Sequence, residues 1–176
     1  MNNHLETFII ELNSGSVIDD NYRWEYDNTP TPVNMGEWFV TNGQCFERND
    51  NEKGIIEAIE ISKKTNNQCF QNTQLIALDN KGIKYYEGLV YGTKYKMTFH
   101  HGFNVIDNKA IDVTDYFNKT FKKDKDSNWC KEEEILYYGI HIPNEFLASF
   151  IDKLKAPYAH NPLIFEYYET LIKTLN

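Results

Sequence analysis

Residues 94–114 read KYKMTFHHGFNVIDNKAIDVT. A long run of aromatic and β-branched residues stops at Asp107-Asn108, and a shorter run begins at once. Asp and Asn tolerate the left-handed backbone that a two-residue hairpin turn demands. The pair therefore predicts strands over 94–106 and 109–114 joined by a tight turn. Such a turn fixes the register: 106 stands opposite 109, His101 opposite Thr114, and Phe103 opposite Asp112. Residues 101 and 103 share a face, so Asp112 becomes a diagonal neighbour of His101, about 7–8 Å away at the backbone and within reach of a side-chain contact.

The same alternation extends on both sides. Residues 83–91, IKYYEGLVY, read as a strand, with Gly92-Thr93 as a turn; two consecutive hairpins imply an antiparallel meander. Residues 134–142, EILYYGIHI, form a fourth strand after a charged surface loop over 117–132. Helical spacing marks four segments: 51–64, with Ile55, Ile56 and Ile59; 69–78, with Phe70, Thr73, Ile76 and Ala77; 144–155, with a Phe146–Leu154 stripe; and 161–175, opened by Asn161-Pro162. The stripes over 146–154 and 163–174 read as core, with Tyr167-Tyr168 at its rim. Residues 5–12 suit a strand or a short helix, 13–36 carry loop chemistry around Gly15, Pro30, Pro32 and Gly36, and 37–46 suit a short extended piece. The class is α+β: a single domain over 1–176, with helices first, an antiparallel sheet next and helices last.

Composition narrows the function. A net charge of −8 and one short basic run, Lys122-Lys123 with Lys125 interleaved by Asp124 and Asp126, disfavour nucleic-acid binding, which needs clustered cations. The absence of a basic leader before MNNHLETFIIEL and of any long apolar run predicts a cytoplasmic protein with no membrane association. Asn118-Lys119-Thr120, a glycosylation sequon, is then idle. Three cysteines, Cys45, Cys69 and Cys130, lack the spacing of a disulfide framework. His100, His101, His141 and Cys130 lack paired metal-ligand spacing, and no phosphate-cradling glycine loop occurs, so no cofactor is expected.

Cys69 stands where a helix begins, behind the amide-rich approach Asn66-Asn67-Gln68. A thiol acts as a nucleophile through its anion, which exposed helix N–H groups and an imidazolium favour. The imidazole must in turn be oriented by an acceptor on its second nitrogen. Cys69, His101 and Asp112 occur in that order, at separations of 32 and 11 positions. His100 and His101 point to opposite faces of a strand, so only one of them is expected to meet the thiol.

These residues resemble those of transglutaminase-like and papain-like thiol enzymes. His101-Gly102-Phe103-Asn104-Val105 is similar to the histidine strand of transglutaminase-like domains, and Ile111-Asp112-Val113-Thr114 to their aspartate strand, with Val113 where proline is usual. Tyr85-Tyr86-Glu87-Gly88 and Tyr137-Tyr138-Gly139-Ile140 resemble stretches of small phage and bacterial members. The resemblance covers about residues 66–142. It implies a papain-like or transglutaminase-like fold, with the cysteine-bearing helix packed on the meander. It also implies Cys69 as nucleophile, His101, rather than His100, as base and Asp112 as orienter. The oxyanion would be met by the Cys69 N–H and an upstream side chain: Gln68, Asn67 or Asn66, or alternatively Gln44 or Trp38. Glu87 would contact substrate or brace the site; its plainer role is that of an edge glutamate.

The function expected is thiol-dependent acyl transfer on a protein, peptide or small amide substrate, as an amide hydrolase or as a transglutaminase or acyltransferase. The alternative is a non-catalytic binding module or inhibitor on the same fold, of the kind a phage-encoded anti-defence protein would be. A purely structural domain would instead enclose Cys69 among Phe and Ile side chains.

Overall fold

The computed structural model describes residues 35–58, 68–92, 97–114, 135–153 and 162–175. Within them run α1 (Met35–Asn42), β1 (Gln44–Glu47), α2 (Glu52–Ala58), α3 (Cys69–Asp79), β2 (Lys84–Gly92), β3 (Met97–Ile106), β4 (Lys109–Ile111), β5 (Ile135–Ile142), α4 (Asn144–Lys153) and α5 (Ile164–Leu175). The architecture is mixed α+β. The expected segment at 5–12, all of the 13–36 loop but Met35 and Gly36, the 117–132 loop, the sequon and Cys130 lie outside the described residues; Met35 and Gly36 are helical where a loop was expected.

The hairpin forms in the register its turn dictates. Ile106 pairs Lys109, Val105 pairs Ala110 and Asn104 pairs Ile111. Asp107 and Asn108 both take positive φ, 49° and 63°, the conformation whose twist matches that of the flanking strands. Strand pairing stops at Ile111 rather than running to Thr114 as its β-branched residues suggested; Val113 and Thr114 already have helical backbone. That early stop is what lets the Asp112 side chain turn toward the third residue below the last pair.

β2, β3 and β4 form the expected meander, and β5 pairs with the far side of β2. β1 then adds beyond β5, giving the order β1-β5-β2-β3-β4 with every ladder antiparallel. The sheet curls until its edges approach: Arg48, just past β1, bridges Ala110 on β4, and the Asn49 N–H donates to the Ala110 carbonyl at 2.7 Å. Inside the curl, Phe46, Tyr86, Val90, Phe103, Val105, Ala110 and Tyr137 make one core cluster.

The outer face carries the helices. Leu147, Leu163, Ile164 and Tyr168 of the C-terminal helical region join Met35 and Phe39 of α1 against Tyr85, Leu89, Leu136 and Ile142. Residues 37–42 are therefore helical where a short strand was expected; Met35 and Phe39, one helical turn apart, bury together. Tyr168 is buried against Trp38, with ring centroids 4.9 Å apart, and belongs to the core and not to its rim. α3 lies directly on β3: a Cβ at Gly102 would stand 2.8 Å from Thr73 Oγ1 and 3.0 Å from Phe70 Cδ1, so only glycine admits the helix this close. Asn104 Nδ2 donates to the Thr73 carbonyl at 2.9 Å and ties the two elements together.

Candidate active site

The first turn of α3 and the middle of β3 bring Cys69 to His101. Gln68 is the N-cap of α3, and its side chain makes no capping hydrogen bond. It is exposed at the mouth of the site, and Cys69 behind it is half-buried. The Cys69 side chain stands close enough to the His101 ring to act on its charge. The other side of that ring is held by Asp112: His101 Nε2 lies 2.8 Å from Asp112 Oδ2. Nε2 being taken, Nδ1 is the nitrogen left for the sulfur. The carboxylate is 4 % exposed and the imidazole 17 %, so the pair is largely enclosed.

Electrostatics follow from that enclosure. Burial alone would drive His101 toward its neutral form. The charges of Asp112 and Cys69, with the hydrogen bond to Asp112, outweigh it and hold the imidazole well above its ordinary value of 6.5. A cation is thus stabilised between a carboxylate and a sulfur. Cys45 is the contrast: also half-buried, but desolvated without a cation, its thiol is pushed up to about 11. Of these two thiols, only Cys69 has an imidazolium beside it.

Three residues that the sequence did not single out steady Asp112. The Tyr137 hydroxyl donates to Oδ2 at 3.3 Å from β5. The Asp112 backbone N–H, past the last strand pair, donates to Glu52 Oε1 at 2.6 Å. Glu52 is itself held by Arg48, whose Nε and Nη2 both reach Oε2 at 2.8 Å. Burial is the largest influence on the Glu52 carboxyl and leaves it above its ordinary range, against the opposing pull of Arg48 and the Asp112 N–H. The i,i+4 spacing of Arg48 and Glu52 was visible in sequence; their proximity to Asp112 depends on the curl of the sheet.

His100 turns the other way. Its Nε2 lies 3.0 Å from Glu87 Oε1, and its ring packs on Phe70 at 4.8 Å between centroids. Glu87 is fully enclosed and has four partners: His100, the Tyr85 hydroxyl at 2.7 Å, and the backbone N–H groups of Leu163 at 2.7 Å and Ile164 at 3.2 Å. It caps the start of α5 and braces the strand beside the site. Full enclosure on an inner strand of the sheet rules out the edge position expected as its plainer role. Burial keeps His100 below its ordinary value despite the carboxylate. The Tyr85 phenol, which also accepts from Gln74 Nε2 at 3.3 Å, is raised by the same burial and by Glu87.

The upstream oxyanion candidates are scattered. Asn66 and Asn67 lie outside the described residues. Gln44 is exposed on β1, where its Oε1 accepts from the Tyr86 hydroxyl at 3.1 Å, and Trp38 packs on Tyr168. Gln68 alone of these is described next to the sulfur-bearing residue. Among the described residues no group of three or more His, Cys, Asp and Glu could hold a metal ion, and no helix is long and apolar enough to cross a membrane.

Comparison with protein-family models, with curated proteins and with solved structures finds no match to this chain.

Proposed function

We propose that the protein is a thiol-dependent acyl-transfer enzyme of the transglutaminase-like and papain-like kind, acting in the cytoplasm on an amide of a protein, a peptide or a small molecule. One observation carries it: His101 lies 2.8 Å from the Asp112 carboxylate and near enough to the Cys69 thiol for the sulfur to act on its charge. The Cys69 sulfur attacks the amide carbonyl carbon and a C–S bond forms. As the C–N bond breaks, the imidazolium of His101 gives its proton to the departing amine. Water or a second amine then attacks the thioester, His101 takes the incoming proton, and Cys69 leaves as sulfur anion. Asp112 keeps the ring in the orientation both proton transfers need. The oxyanion of the tetrahedral intermediate falls to N–H groups at the first turn of α3.

The half-buried setting of Cys69 supports this chemistry over a structural role, since enclosure by Phe and Ile would have left the sulfur unreachable. Brief treatment with iodoacetamide at pH 6, followed by peptide mapping, tests it. Label is expected on Cys69, and Cys69→Ala should remove it. Intact-mass analysis with a panel of electrophilic acyl probes then separates enzyme from binder: a mass increase lost in Cys69→Ala marks acyl transfer. Label confined to Cys45 or Cys130 would overturn the assignment, and an alkylatable Cys69 that takes no acyl group from any probe would favour a binding module.

A further inference from the structure

β4 gives out one residue too early to hold Asp112. The last β3–β4 pair is Asn104 with Ile111, so the residue that orients His101 sits just beyond the sheet. At such a position the backbone N–H needs another acceptor, and the direction of the side chain depends on which one it finds. Glu52 supplies it from the start of α2, at 2.6 Å and 60 positions away in sequence. The glutamate is not a loose surface group: its side chain is 12 % exposed, and Arg48 fixes Oε2 through two nitrogens, leaving Oε1 aimed at Asp112. Arg48 is in turn fixed by the main chain, because it forms the bridge to Ala110, two residues before Asp112. Both ends of the clamp thus converge on the same short stretch of chain.

We infer, on the thiol-enzyme reading given above, that Arg48 and Glu52 are positioning residues which set the reach of Asp112 to His101 and so tune the Cys69–His101 pair. Neither touches the reacting atoms. Their influence passes through the N–H···O bond to Glu52: when it is lost, the Asp112 backbone can shift between the end of β4 and the buried Val113-Thr114 turn, and the carboxylate no longer meets Nε2 squarely. Misplacement of a supporting group by about 1 Å is enough to cost on the order of a hundredfold in rate. Because Glu52 acts by accepting a hydrogen bond, a glutamine that keeps an oxygen in place should serve nearly as well as the native residue, whereas alanine should not.

The test follows the His101 imidazole by long-range ¹H–¹⁵N NMR and the iodoacetamide reaction of Cys69 as a function of pH, in the native chain, Glu52→Ala and Glu52→Gln. Glu52→Ala should lower the His101 titration midpoint toward that of an ordinary histidine and slow Cys69 labelling about tenfold, by the same misplacement argument. Glu52→Gln should stay within about threefold of native, since the acceptor survives. Should Glu52→Ala fail to fold, the native chain still decides: the Asp112 amide proton should shift with the titration of the Glu52 carboxyl. A folded Glu52→Ala with unchanged His101 midpoint and labelling, or an Asp112 amide indifferent to Glu52, overturns the clamp while leaving the thiol-enzyme reading intact. A native Cys69 no more reactive than Cys45 overturns the reading itself.

Discussion

Two neighbouring histidines on one strand each meet a carboxylate, and the two pairs do opposite things. His100 lies 3.0 Å from Glu87 and His101 lies 2.8 Å from Asp112. Glu87 is fully enclosed, and its oxygens are also shared among a phenol and two backbone N–H groups at the head of α5. That carboxylate is committed to holding elements together, and burial keeps its histidine below the ordinary value. The Asp112 carboxylate also accepts from the Tyr137 hydroxyl and stands beside a ring that is raised. The nature of the pair does not decide between structure and chemistry. What differs is the neighbour on the other side of each imidazole: the Cys69 thiol acts on His101, and Phe70 packs on His100.

The largest contrast should come from the rings themselves. His101→Asn should cut iodoacetamide labelling of Cys69 at pH 6 by about a hundredfold, the scale of a lost acid–base partner. His100→Gln should leave labelling within about threefold, because that ring faces Glu87 and not the sulfur. Equal loss in both variants would erase the distinction.

Stability should divide the carboxylates the other way. Glu87→Ala strands the His100 ring, the Tyr85 hydroxyl and two N–H groups in the interior, and should cost about 3–5 kcal/mol in urea unfolding. Asp112→Asn keeps a hydrogen-bonding side chain for Tyr137 and should cost about 1 kcal/mol. Comparable losses would mean that both pairs serve the fold alone.

A smaller effect lies in the pH profile. His101 is raised in the folded chain, so the state with a protonated ring persists above pH 6.5, and reactivity that depends on it should fall only on the alkaline side of that value. Asp112→Asn removes the larger of the two favourable charges and should move the His101 midpoint, and with it that alkaline limb, to lower pH, as read by long-range ¹H–¹⁵N NMR. A limb that stays put would detach Asp112 from the ring.

The smallest effect is a difference of sign in stability. A raised histidine stabilises fully below the unfolded value of about 6.5 and loses that contribution as pH climbs through its folded value. A lowered histidine does the reverse: the unfolded chain binds the extra proton, so stability declines as pH drops below about 6.5. Urea midpoints from pH 5 to 8 should therefore show His100→Gln easing the acid-side decline and His101→Asn easing the alkaline-side one.

Much of this geometry was legible in one hairpin. Asp107-Asn108 announced the turn and the turn fixed the register, which the ladder follows from Ile106–Lys109 to Asn104–Ile111; the expected pairs beyond it, Phe103 with Asp112 and His101 with Thr114, do not form, yet Asp112 still meets His101. The start of α3 at Cys69 was equally plain from helical spacing. The reading failed where a residue's role is set by chain far away. Glu87 shows an i,i+2 relation to Tyr85 but nothing of Leu163 and Ile164, whose N–H groups decide its burial. Arg48 and Glu52 look like an ordinary exposed i,i+4 pair until the curl of the sheet brings Ala110 and Asp112 to them. The segment 37–42 was misjudged because its aromatic residues suit a strand as well as a helix, and only the face offered by Tyr138 and Tyr168 selects the latter. Face alternation separated the two histidines correctly.

The bond from Glu87 to the head of α5 spans 76 positions of chain. During synthesis β2 emerges long before its capping partner exists, and a growing polypeptide carries a buried-to-be carboxylate with its main-chain donors still inside the ribosome. The surroundings of Glu87, and of the His100 ring paired with it, can therefore be completed only when the late-translated helix docks.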